Sequence, residues 1–130
     1  ARMNGIIDAN SLRIKYELLL QLNRGEKAKL VFDQLVGLKE LLVTDLYLLG
    51  RNVLKKGYLK EASSIFISNK EKFPMDKYWT NMGLALSLTA EGKNTEAIAC
   101  WERVIENSPP DRIASIPEYE AQIKKLKEEK

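Results

Sequence analysis

Cys100 is the only thiol in this 130-residue chain, and histidine is absent. That removes the usual general base, the common catalytic dyads and the commonest zinc ligand. Cys100 stands beside Trp101 on the apolar side of a helical pattern, where a thiol packs as a small hydrophobe and is not a nucleophile. Glu17 and Asp45 carry no partner signal for acid–base work, and neither a glycine-rich phosphate loop nor paired carboxylates occur. No catalysis, small-molecule substrate, metal or cofactor is expected. What remains is recognition. Phe66, Trp79 and Trp101 could stack on a ligand, yet their spacing marks them as core. The closing run Lys124-Lys125-x-Lys127-Glu128-Glu129-Lys130 interleaves both signs at helical spacing, which reads as a solvated face.

The bulk numbers agree with a binding protein. At this length one domain is expected, and 45% apolar with 30% charged residues is the balance of a folded chain. A net charge of +3 is too mild to point to nucleic acid. A single cysteine allows no internal disulfide, which fits a reducing, cytoplasmic setting. No apolar run approaches the roughly 18–20 residues that cross a bilayer, so no membrane partner is expected. Nor is there a signal peptide, although Ala1-Arg2-Met3 reads as a boundary and leaves an upstream segment open.

The elements that would position any binding residues show internal repetition. Gly50, Ala62, Phe66 and Pro74 are answered by Gly83, Ala97, Trp101 and Pro109, with Phe66 and Trp101 35 residues apart. Such a period marks stacked helical hairpins, each needing its neighbour to bury an apolar face. Leu46, Leu49, Gly50 and Val53 fall at i, i+3, i+4, i+7, and Trp79, Met82, Gly83 and Leu86 repeat that spacing. An all-α fold is expected, with helices over about 10–23, 26–42, 44–56, 59–73, 77–91, 94–107 and 117–129. Thr44, Asp76 and Asn94 are placed to cap helix starts, and Gly57 and Gly92 to close helix ends in the left-handed region. Pro74 and Pro109 stop the second helix of each unit, and Pro117 can open the last one. Residues 10–42 look like a degenerate first copy, with Tyr16 in place of the glycine. Its turn looks shorter, with Gly25 three residues before Ala28. The two residues extra between Gly83 and Ala97 should lengthen the turn around Ala90–Asn94. Small residues suit close helix crossings, and burying Phe66 or Trp101 stabilises by roughly 2–3 kcal/mol each.

The run Trp79-x-x-Met82-Gly83-x-x-Leu86, followed by Ala97, Trp101 and Pro109, resembles the tetratricopeptide repeat family. Leu46-x-x-Leu49-Gly50-x-x-Val53 with Ala62, Phe66 and Pro74 resembles it nearly as well. The resemblance implies one domain over 1–130, comprising a degenerate repeat at 10–42, repeats at 44–74 and 77–110, and a capping helix over 115–130. It also implies a right-handed superhelix of antiparallel hairpins whose concave face, lined by first helices, holds a peptide or partner. Transferred to this chain, the groove positions are Arg13, Glu17, Tyr47, Arg51, Lys55, Lys77, Asn81 and Leu84. That strip suits a peptide with an acidic side chain or free carboxylate, with Arg51 as a fork and Lys55 and Lys77 as point charges. The subclass that clamps the carboxyl ends of heat-shock chaperones does not fit. Its positions here read Arg13 and Glu17, then Leu48, then Lys77 and Asn81, and only the lysine is kept.

The expected function is therefore a non-enzymatic interaction or scaffold module. The alternatives are single-stranded RNA binding by pentatricopeptide-like repeats, suggested by the Leu59-x-x-Ala62-x-x-x-Phe66 run, and an accessory domain of a larger protein. Leu38, Leu41, Leu42 and Val43 form an apolar patch that could drive homodimerisation if uncovered.

Overall fold

The computed structural model describes residues 8–129, so the readings of Ala1-Arg2-Met3 and Lys130 lie outside the described residues. Seven α-helices follow in order: α1 Ala9–Gln21, α2 Gly25–Val36, α3 Val43–Lys55, α4 Leu59–Lys72, α5 Trp79–Ala90, α6 Asn94–Glu106 and α7 Ile116–Glu128. A 3-10 helix, Pro110–Ser115, lies between α6 and α7, where the sequence pattern signals only a break. No strand occurs among the described residues, as helical periodicity predicts. The chain divides into two compact units, residues 1–45 and 46–130, with the boundary inside the first turn of α3.

In the smaller unit α1 packs against α2. Leu12, Tyr16 and Leu20 are the buried stripe of α1, and Ala28, Val31 and Leu35 that of α2. The Tyr16 and Phe32 rings meet at 6.0 Å. Asp8 caps α1, its carboxylate accepting from the Ser11 amide at 2.7 Å. The second helix ends at Val36, six residues short of the expected 42. Gly37 closes it, its N–H shared between the Asp33 and Gln34 carbonyls. Residues 38–42 form a connector in which Leu41 is buried and Leu42 exposed. Thr44 does not cap α3, because the helix has already begun at Val43. Asp45 reaches back instead, accepting from the Leu42 amide at 2.8 Å.

In the larger unit α4 packs on α5, α5 on α6 and α6 on α7. The connections are the most regular feature of the chain. Three residues separate α1 from α2, α3 from α4 and α5 from α6. The middle residue of each, Asn23, Gly57 or Gly92, has φ of 62°, 94° or 77°. Around each, one N–H bonds five residues back and the preceding one three back: Arg24 to Leu19, Tyr58 to Val53 and Lys93 to Leu88 are the longer bonds. This is the closure that satisfies orphan helix carbonyls and needs a left-handed residue, which glycine and then asparagine supply most readily.

That common turn corrects two expectations. The first turn is not shorter, because Asn23 and not Gly25 takes the special conformation, five residues before Ala28. Gly57 and Gly92 precede Ala62 and Ala97 by the same five. The third turn is not longer either. The two residues extra between Gly83 and Ala97 lie inside α5. Counted back from the turns, the counterpart of Gly50 is Ala85, fully buried, and Gly83 sits half a turn earlier.

Gly83 has a different task. A Cβ placed at Gly50 or at Gly83 would lie under 3.0 Å from three atoms of the Phe66 ring, Cδ1 and Cε1 among them in both cases. Two such positions cannot coincide, so the ring lies between the bare backbones of α3 and α5. Trp101 fills the corresponding position in the next hairpin. Its indole N–H donates to Thr89 Oγ1 at 3.1 Å, and its ring stacks on Tyr119 of α7 at 5.7 Å. Tyr119 also shares a buried hydroxyl–hydroxyl hydrogen bond with Tyr78. Asn94 is not a cap for its own helix: its side-chain amide donates to the Leu126 and Glu129 carbonyls, closing the end of α7.

Candidate partner-binding site

The expected groove residues fall in three places. Arg13 and Glu17 belong to the smaller unit, both half-buried on α1. The Arg13 guanidinium donates to Asn10 Oδ1 at 3.1 Å. Tyr47, Arg51 and Lys55 rise one turn apart along α3 of the larger unit, passing from buried through half-buried to exposed. Lys77, Asn81 and Leu84 do not continue that line. Lys77 is exposed and precedes α5, while Asn81 is buried with its amide donating to the Lys77 carbonyl at 2.8 Å. Counted from the turns, the α5 residues that match Tyr47, Arg51 and Lys55 are Met82, Leu86 and Ala90. The α5 positions in that register are therefore apolar, where the transfer gave Lys77, Asn81 and Leu84.

The start of α5 is fixed by Asp76, as expected. Its carboxylate accepts from the Tyr78 and Thr80 amides, each at 3.1 Å, and Thr80 Oγ1 donates to the Asp76 carbonyl at 2.8 Å. This turn projects Trp79 toward α3. The Trp79 and Tyr47 rings meet at 4.9 Å, and Trp79 meets Tyr78 edge-on at the same distance. Two guanidinium groups cover this aromatic group. Arg51 lies 5.8 Å from the Tyr47 ring centroid, and Arg112 of the 3-10 helix lies 4.9 Å from that of Trp79. Arg112 was missed by sequence reasoning. Two prolines before it signalled only the end of α6, and nothing in its local pattern announces a stacked arginine. A shallow hollow of ≈ 410 Å³ opens beside the group, lined by Met75, Asp76, Lys77, Tyr78, Trp79, Asn107 and Pro109.

The electrostatics follow from burial and from these two charges. Burial raises the Tyr47 hydroxyl above its ordinary pKa, and Arg51 and Arg112 oppose that by favouring the phenolate. Burial raises Tyr78 too, helped by its hydrogen bond to Tyr119 and again opposed by Arg112. Among the described residues no His, Cys, Asp and Glu group could hold a metal ion, and no helix is long and apolar enough to cross a membrane. No protein-family model, curated protein or solved structure matches the chain.

Cys100 is buried, and burial raises its pKa against the pull of Arg103. The native thiol should therefore resist a disulfide reagent at neutral pH and react fully only after denaturation. Following thionitrobenzoate release with and without guanidinium checks this. Rapid reaction of the native protein would show a reactive thiol.

Proposed function

We propose that this chain is a non-enzymatic protein-interaction module of the tetratricopeptide type, which holds a partner on the face of its larger unit presented by α3 and α5. The three equal turns support the repeat reading, since each closes a helical hairpin in the same way. The observation that carries the functional reading is the Tyr47–Trp79 contact with the Arg51 and Arg112 guanidinium groups over its rings. Stacked aromatic and arginine side chains lose little freedom on binding and are the residues that dominate interfaces. Arg112 faces only the neighbouring Asp111 at 4.0 Å among the described residues, an exposed contact that contributes little.

Capture from the source lysate with immobilised protein tests the reading. Arg51→Glu should lose a protein that the unaltered chain retains, while the melting temperature stays within a few degrees. Lys77→Glu, at the rim of the hollow, should weaken the same capture to a smaller degree. Identical capture by all three proteins would remove the partner from this face.

A further inference from the structure

Resting on the reading that this face captures a protein partner, we infer that the partner segment is acidic, and that Arg51 and Arg112 are its two anchors on either side of the Tyr47–Trp79 ring pair. Arg51 comes from the middle of α3 and Arg112 from the 3-10 helix 61 residues later, so the fold assembles the pair. Each guanidinium lies over a ring, and the two rings touch. A guanidinium held against an aromatic ring can still present its terminal N–H groups to a carboxylate, with which arginine forms two parallel bonds. The aromatic pair between them offers apolar surface at Trp79, which is half-buried. The matching peptide carries acidic side chains flanking an apolar one.

The neighbouring charges support the sign. Lys55 is exposed at the end of α3, and Lys77 is exposed in the segment before α5. Asp76 is committed to the Tyr78 and Thr80 amides, and Asp111 is exposed beside Arg112. The Arg51 Nε is a buried donor with no hydrogen-bond partner. A basic partner would have to displace Arg112 from Trp79 and leave both guanidinium groups facing like charge.

The test uses a blocked peptide of alternating glutamate and leucine, with an alternating glutamine and leucine peptide as its neutral twin, and reads tryptophan fluorescence. The glutamate peptide should bind at least about tenfold more tightly than its twin, and Arg51→Gln and Arg112→Gln should each weaken it about tenfold. Arg112→Lys, which keeps the charge and loses the fork, should fall between. Lys124→Gln, which removes one positive charge on α7, should leave binding unchanged and so excludes a bulk charge effect. Thermal melts of each variant separate lost binding from lost folding. Equal binding of both peptides, or equal losses from Lys124→Gln and Arg112→Gln, would overturn the inference. So would binding of neither peptide, and the lysate capture with Arg51→Glu would then still decide whether any partner uses this face.

Discussion

Phe66→Ala should cost about 3–5 kcal/mol of folding stability, the range for emptying a fully buried aromatic site. Gly83→Ala should also destabilise, by about 1–3 kcal/mol. The second result runs against local propensity, because alanine is favoured over glycine in a helix by about 1 kcal/mol. The steric term wins here because the new methyl would fall under 3.0 Å from a ring that is 1% exposed and backed on its other face by Gly50. The two changes should therefore couple strongly. In a Phe66→Ala background the clash is gone, and Gly83→Ala should become neutral or stabilising by up to about 1 kcal/mol. Urea unfolding of the four proteins in the cycle measures this. Additive losses would mean that Gly83 is not packed on Phe66.

The tyrosine pair that holds α7 gives the second large effect. Tyr78 and Tyr119 are buried with their hydroxyls bonded to each other. Either Tyr→Phe change strands the remaining hydroxyl, at about 1–3 kcal/mol, whereas replacing both should be close to neutral. The same pair sets an alkaline limit. Folded Tyr78 holds its proton above the ordinary value of 10.0, through burial and its bond to Tyr119, and burial moves Tyr47 the same way. Above about pH 10 the unfolded chain gives up these protons while the folded chain keeps them, so it is the folded state that binds more protons. Stability is thus complete below about pH 10 and declines as pH rises beyond it. Denaturant melts from about pH 8 to about pH 11 should show this decline, and Tyr78→Phe should make it shallower. A flat profile across that range would contradict the assigned burial.

The helix ends could be read from residues whose types are demanded by backbone geometry. Gly57, Gly92, Pro74 and Pro109 stand where such demands are strict, and they lie within a few residues of the observed ends. Where a demand can be met by several residue types, the sequence is ambiguous. Asn23 supplies the first left-handed turn as the glycines supply the others, and the nearby Gly25, which begins α2, drew attention away from it. The Trp79-x-x-Met82-Gly83 spacing imitates the Leu46-x-x-Leu49-Gly50 run two residues out of phase. Only the turn at Gly92 reveals Ala85 as the counterpart. Side chains that act across elements were hidden altogether. Asn94 closes a helix that begins 22 residues later, and Arg112 reaches its ring from a segment that composition marks as a break.

Phe66 also offers a clock. A phenyl ring pressed on both faces by main chain can turn over only when the two helices beside it move apart, because close-packed interiors hold no spare volume to swing through. The two edges of this ring should then be distinguishable in proton spectra, and the temperature at which their signals merge would time the breathing of neighbouring hairpins. Such motion is local opening well below global unfolding. A single residue in the middle of the larger unit thereby reports how often adjacent helices loosen their grip.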